Sequence, residues 1–271
     1  MNLIKSVSNL QWLLNRVNAK KPLTNCYLYG NDFSKLVIDG LLYYQNDGEN
    51  LFIFKKNTNF LFFEIYFYLV EERCLSEIKC TQPVVAEIPY RGSFKFPHRE
   101  INILTKYGFS QHINRDLFFL NKPDLSNVNL STSNFKTVIL NDKDLAVVLA
   151  SKILESFDYY TGDVLSTSDL SNSIENGEIL ALYRDDVIAG FLRFYLKNNV
   201  SWIGHIVVLN GFEGQGLGKL LVFDYLRHQT ENGINYFQHW VVSTNYAAIK
   251  LYEYFGFKKM NKSSISLLKE K

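Results

Sequence analysis

The stretch Gly211-Phe-Glu-Gly-Gln-Gly-Leu-Gly-Lys-Leu-Leu221 decides how this chain is read. Four glycines, Gly211, Gly214, Gly216 and Gly218, are followed by apolar residues at helical spacing: Leu217, Leu220, Leu221 and Tyr225. An apolar run, Ser201-Trp-Ile-Gly-His-Ile-Val-Val-Leu209, leads into it and reads as a strand. A glycine-rich loop lets backbone N–H groups approach an anion without Cβ clashes. The helix N-terminus behind it adds unpaired donors and partial positive charge. The expected guest is a phosphate group, a diphosphate above all, with Lys219 adding a full charge.

Two nucleotide-binding patterns fail on spacing. A Walker A loop needs Gly-x-x-x-x-Gly-Lys-Ser/Thr, but Leu220 follows Gly218-Lys219 and Glu213 stands where the first glycine belongs. The dinucleotide fingerprint Gly-x-Gly-x-x-Gly ends on Lys219 when counted from Gly214 and on Leu221 when counted from Gly216. Gln238 and His239 occupy the following strand, where that fingerprint expects an acidic residue.

The run Gln215-Gly216-Leu217-Gly218 resembles the last four positions of the acyl-CoA loop of the GCN5-related N-acetyltransferase (GNAT) family, Arg/Gln-x-x-Gly-x-Gly/Ala. A second signature of that family follows in order: Asn245, Ala248, Leu251 and Tyr252, then Gly256-Phe257. The resemblance spans about residues 135–271. It implies a GNAT fold and acetyl-CoA as acyl donor; separately, no two His, Cys or carboxylate residues show metal-ligand spacing, so no metal is expected. The resemblance places the pyrophosphate on the backbone of Gln215, Gly216, Leu217, Gly218 and Lys219, and the pantetheine arm along Val208 and Leu209. Asn245 would contact the arm, and Tyr252 would be the general acid toward the departing thiolate. A phenol suits that role because it stays protonated at neutral pH. The pattern departs at Glu213, whose charge would sit near the phosphates. It departs again at Trp202, where many members carry a catalytic Glu. His205 on the same strand is the replacement candidate for a base, with a structural histidine as the competing reading. Asp158 and Asp163, in Glu155-Ser-Phe-Asp-Tyr-Tyr-Thr-Gly-Asp163, are candidates for holding the acceptor, against a reading as solvated loop carboxylates.

The rest of the chain sets the frame. Its 271 residues suit two domains. Hydrophobic residues at 47% and charged residues at 21% indicate a globular protein. A net charge of +2 argues against a broad nucleic-acid-binding face. Cys26, Cys74 and Cys80 form neither a disulfide framework nor a CxxC site, so free thiols in a reducing cytoplasm are expected. No signal peptide or membrane span is read.

The pattern of the second half is β-α-α-β-β-β-α-β-α-β, which gives an α/β fold with a mixed sheet and helices on both faces. In the first half, Leu10, Leu13, Leu14 and Val17 predict a helix capped by Ser8 or Asn9. Thr24-Asn-Cys-Tyr-Leu-Tyr-Gly30 reads as a strand, Glu71–Lys79 as a short helix, and Arg115–Asn121 as that half's closing strand. The Asn- and Ser-rich segment 125–134 is the expected linker, between a first domain at 1–124 and a catalytic domain at 135–271. Superposing Gly108-Phe109 on Gly256-Phe257 aligns Leu117 with Ile265 and Phe119 with Leu267. The first half is therefore expected to be a degenerate GNAT-like copy without a CoA loop. At the positions of Asn245 and Tyr252 it carries Pro97 and Leu104.

The function expected is transfer of an acetyl group from acetyl-CoA to a primary amine, small molecule or peptide, by direct attack in a ternary complex. The alternative is a non-catalytic CoA-binding regulatory module. Self-association as a homodimer stays open, and neither nucleic acid nor membrane is an expected partner.

Overall fold

The computed structural model describes the whole chain except residues 27, 29, 75, 127, 129 and 131–133. The chain forms two compact units, residues 1–114 with 262–271, and residues 115–261.

The first unit contains β1 (Asn2–Leu3), α1 (Val7–Asn18), β2 (Leu23–Thr24), α2 (Gly30–Ile38), β3 (Leu42–Asp47), β4 (Asn50–Lys56), β5 (Phe63–Leu69), β6 (Val84–Tyr90), α3 (His98–Lys106) and the start of β7 (Ser110–Asn121). The second contains the rest of β7, then β8 (Lys136–Ile139), α4 (Ala146–Ser156), α5 (Thr167–Glu175), β9 (Ile179–Arg184), β10 (Val187–Lys197), β11 (Val200–Val208), α6 (Leu217–Glu231), β12 (Tyr236–Val242), α7 (Tyr246–Tyr254) and the start of β13 (Lys258–Lys269). The element order expected for the second half is the one observed.

Strands of the first unit are ordered β1-β3-β4-β5-β6-β13, with β2 on β5; those of the second are ordered β7-β12-β11-β10-β9-β8. The two closing strands are therefore exchanged. Residues Ser263–Lys269 pair antiparallel with β6, and Arg115–Asn121 pair antiparallel with β12. This moves the division from the expected 124–135 region to residue 114, and gives the last ten residues to the first unit. Arg115–Asn121 closes the second sheet and not the first. Backbone pairing, not adjacency in sequence, decides which core a strand's apolar face enters. Five positions of the expected linker, 127, 129 and 131–133, lie outside the described residues.

The repeat seen in sequence extends to register. Val84↔Lys269 through Tyr90↔Ser263 matches Tyr236↔Asn121 through Val242↔Arg115 under the Gly108/Gly256 alignment. The helix ends match as well. Gly108 and Gly256 have φ of 86° and 85°, and the Phe109 and Phe257 N–H groups donate back to Leu104 O and Tyr252 O. A left-handed residue at this place is a glycine C-terminal stop.

Each sheet is covered on both faces. In the second unit Leu192, Ile203, Leu221 and Tyr225 pack one face beneath α6 and α7, while Leu149, Ile153, Phe191 and Val207 pack the other beneath α4 and α5. In the first unit α3 covers one face and α1 and α2 the other.

Several local expectations change. Ser6, not Ser8 or Asn9, caps α1 by accepting from Asn9 N–H. Of the strand expected through residues 24–30, of which 27 and 29 lie outside the described residues, the described residues form only Leu23–Thr24, and Gly30 opens α2. No helix forms over Glu71–Lys79 among the described residues, so between β5 and β6 the first unit has nothing at the place of α6.

Candidate acyl-CoA site

The loop between β11 and α6 folds because its glycines take conformations other residues avoid. Gly214 and Gly216 both have φ of 75°, and nothing lies within 4 Å of a Cβ built on either. Backbone conformation, not space, requires glycine there. Gly216 is the N-cap of α6 and offers no side chain to the helix end. Among the described residues, the N–H groups of Gln215, Gly216, Leu217 and Gly218 have no protein acceptor, whereas Lys219 N–H donates to Gly216 O. Four of the five expected cradle groups are thus open to an anion, and the fifth closes the first turn. Glu213 does not face this cradle as a loose charge: its Oε2 accepts the Gly211 N–H at 2.7 Å.

The loop opens on a cleft of about 420 Å³ whose walls include Val208, Leu217, Lys219, Ala247, Lys250 and Tyr254. Sequence reasoning assigned Tyr252 of α7 but did not find that Ala247, Lys250 and Tyr254 line the cleft. Ala247, Lys250, Leu251 and Tyr254 are spaced i, i+3, i+4 and i+7, one stripe of a helix. That periodicity was the signal available.

Beside the cleft, β11 and β12 part. Their parallel pairing covers only Ser201 and Trp202 against Phe237 and Gln238. From Ile203 onward β11 keeps only its pairing with β10, which runs from Val200 to Val208. Leu209 N–H donates to Ala189 O, so by strand alternation the N–H and C=O of Val208 point to the other edge, where the strands diverge. Val208 is therefore placed to pair with an extended amide chain. The backbone of Leu209 is committed to β10 and to Phe212 N–H, which corrects its expected role beside Val208.

Tyr252 lies on the inner side of α7, 7% exposed. Burial raises its pKa, so the phenol is protonated through neutral and alkaline pH. Its ring packs against His239 and Phe257, with centroids 3.6 Å and 5.6 Å away. Asn245 is the N-cap of α7, its Oδ1 accepting Ala248 N–H, which fixes the end of the helix that faces the cleft.

The opposite face of the sheet has different chemistry. His205 is 1% exposed. Its Nε2–H donates to Gly162 O at 2.9 Å, which leaves Nδ1 as the lone-pair nitrogen, buried and without a partner among the described residues. Burial, with Arg193 adding to it, lowers its pKa to about 4 against the opposing pull of the Gly162 carbonyl. His205 is neutral at pH 7 and weakly basic, a poorer proton acceptor than sequence reasoning supposed. Asp158 Oδ1 accepts Tyr160 N–H, Thr161 N–H and the Thr161 hydroxyl, so it shapes the loop. Asp163 is exposed and lies 3.8 Å from Arg193 Nη1. Arg193 is seated by a β-bulge at Gly204, where a Cβ would stand 2.8 Å from Nη1. Trp202 stacks on Tyr195, ring centroids 6.3 Å apart, so the position expected to carry a carboxylate carries an aromatic wall.

The first unit has a comparable parting of strands, already filled. The β5–β6 pairing covers only Phe63 and Glu64 against Val84 and Val85. Asn25, 4% exposed, bridges the gap: Nδ2 donates to Ile65 O and Glu87 O, both at 3.0 Å, and Oδ1 accepts Phe67 N–H at 2.9 Å. Beside it, β2 occupies the free edge of β5 at Tyr68 and Leu69.

Among the described residues there is no cluster of metal-ligating side chains, no helix is long and apolar enough to cross a membrane, and Cys26, Cys74 and Cys80 are free thiols.

Comparison with known proteins bears on the fold. Residues 151–257 match the family model described as Acetyltransferase (GNAT) family. No curated protein matches this sequence. Among solved structures, a tandem GNAT protein from the clavulanic acid biosynthesis pathway is similar at 12% identity and a TM-score of 0.59, covering 98% of this chain and 94% of that one. A GCN5-related N-acetyltransferase from Sphaerobacter thermophilus gives 12% identity, a TM-score of 0.58 and coverage of 82% and 76%. A GNAT-family acetyltransferase from Colwellia psychrerythraea gives 14%, 0.51, and coverage of 100% and 99%. These likenesses establish a shared fold, including a two-domain arrangement, and the family match lies on the unit that holds the open loop. Residues 151–257 are thus similar to a GNAT-family acetyltransferase domain.

Proposed function

We propose that this protein transfers an acetyl group from acetyl-CoA to a primary amine, in a ternary complex, at the second unit. The observation that carries the reading is the row of open N–H groups at Gln215–Gly218, set beside the outward-facing backbone of Val208. The first suits a pyrophosphate and the second an amide-bearing arm. In the reaction the amine nitrogen bonds to the acyl carbon, the C–S bond breaks, and the departing sulfur takes a proton from the Tyr252 phenol. The amine's own proton passes to solvent, since burial leaves His205 a weak base, and a solvent proton returns the Tyr252 phenolate to the phenol. Trp202, Tyr195 and Arg193 wall the acceptor side and position the amine. Residues 1–114 with 262–271 are a degenerate copy of the same topology, lacking α6 and its loop, with Asn25 holding the gap that the second unit leaves open.

The test is thiol release from acetyl-CoA across a panel of amines, with wild type and Tyr252→Phe. Turnover with at least one amine, strongly reduced in the variant, is expected. Tight CoA binding without turnover on any amine would instead favour a regulatory CoA-binding module.

A further inference from the structure

The pairing of β11 with β12 ends at Trp202 and Gln238, and that last rung extends sideways across four strands. Tyr195 of β10 stands opposite Trp202, and Phe119 of β7 stands opposite Gln238. Residues paired in register share a face of the sheet, so the four form one row. Their chain neighbours Phe194, Ile203, Phe237 and Phe118 enter the core under α6 and α7, which puts the row on the other face. There α4 and α5 stop short of it: their core takes Phe191 and Val207 but none of the four. Each of the four keeps part of its surface in solvent.

The row has the form of a slot. Tyr195 and Trp202 are stacked at 5° with centroids 6.3 Å apart, and Phe119 is stacked on Tyr236 at 20° and 6.3 Å. Gln238 lies between the two pairs, on the strand between theirs. Strands two apart are separated by about 9.5 Å, and a flat ring in contact with an aromatic wall on each side needs roughly 7–8 Å. The row carries no formal charge. At its β10 end Arg193 lies over the Tyr195 ring, 5.4 Å from the centroid, and the Asp163 carboxylate is 3.8 Å from Arg193 Nη1. A second ammonium on the acceptor would meet that fixed guanidinium.

Resting on the acetyl-transfer reading, we infer that this row is the acceptor subsite and takes a primary amine carried on a flat aromatic body, an arylalkylamine. Trp202 and Phe119 flank the aromatic body, and Gln238 offers its amide to a polar substituent on it. The row adjoins the point where β11 and β12 part, so the amine of a short side chain reaches the gap while its ring stays in the slot.

The test compares 2-phenylethylamine with 2-cyclohexylethylamine, which matches it in length and apolar character but is not flat, and with 1,4-diaminobutane and a short peptide bearing a free N-terminus. Thiol release from acetyl-CoA gives kcat/KM for each, and calorimetric titration of each amine into the full chain saturated with CoA gives affinity without reaction. Wild type is expected to prefer 2-phenylethylamine over its cyclohexyl analogue by about fivefold in both, the scale of an aromatic stacking contact. Trp202→Leu should erase that preference, chiefly through KM, and Trp202→Phe should keep most of it. Equal use of the two amines by wild type, faster turnover of the diamine or the peptide, or a preference that survives Trp202→Leu would overturn the aromatic subsite and leave acetyl transfer standing. Turnover of no amine would overturn both.

Discussion

The imidazole of His239 and the phenol of Tyr252 are packed ring on ring, centroids 3.6 Å apart, and neither nitrogen of His239 has a partner among the described residues. β12 supplies one ring and α7 the other. The pair sits beside Phe237 and Gln238, where β11 and β12 begin to part. Burial lowers the His239 pKa to about 3, so the ring is neutral at physiological pH and stacks as an aromatic, with Phe118 on the other side. The packing fixes the Tyr252 ring without holding a charge against it.

Tyr252→Phe keeps that packing and removes only the hydroxyl. The expected result is a fall in kcat of about 100-fold or more, the scale of a lost general acid, with CoA affinity nearly unchanged. Steady-state thiol release and equilibrium titration, measured side by side, separate the two. Unchanged kcat would remove Tyr252 from the chemistry.

Stability should fall on acidification. His205 and His239 have folded-state pKa values of about 4 and about 3, below an unfolded value near 6.5. Between those limits the unfolded chain binds more protons, so each contribution is intact above pH 6.5 and is lost as pH drops through the folded pKa. Each histidine should remove roughly 1.4 kcal/mol per pH unit across its window. Urea unfolding at pH 7.5, 6 and 5 checks this. His239→Phe should flatten the slope, and an equally steep slope in that variant would count against the assignment.

Asn25→Ala strips three hydrogen bonds from a buried gap and leaves Ile65 O, Phe67 N–H and Glu87 O without that partner. Unsatisfied buried groups cost roughly 1–3 kcal/mol each, so a loss of at least about 2 kcal/mol is expected by chemical denaturation. CoA binding should remain one per chain, with affinity unchanged. A second CoA bound by wild type would contradict the closed first unit.

Gly216→Ala forces a β-carbon into a left-handed backbone at the α6 N-cap. The strain is about 1–2 kcal/mol. It should appear as a several-fold loss of CoA affinity, because the turn that aims the cradle relaxes. Ala is a sensitive choice because a Cβ there meets no neighbour, so any effect is conformational. Calorimetric titration reads it directly, and unaltered affinity would mean the turn does not need its left-handed residue.

The sequence by itself determined the second unit well. Its helices and strands follow from short-range periodicity and caps: Ser166 with Asp169 at the start of α5, Asn245 at the start of α7, glycine at the end of α7, as at the end of α3 in the first unit. The cradle at Gln215–Gly218 was legible because backbone conformation is a local property, and glycines mark it. The stripe Ala247, Lys250, Leu251, Tyr254 was equally visible as a period, but nothing local says which wall a helix faces.

Only the tertiary structure decided the rest. Arg115–Asn121 and Ser263–Lys269 alternate alike, and each is compatible with either sheet. Exchange is decided by which edge strand, β12 or β6, completes the hydrogen bonds and shares the core. Asn25 is one polar residue in a short segment, and its role exists only because β5 and β6 part around it. The depth of His205, and with it the loss of its basicity, comes from Phe157 and the Gly162 carbonyl folding over from a loop some forty residues earlier. Desolvation is a property of the packed neighbourhood, and no spacing in the sequence records it.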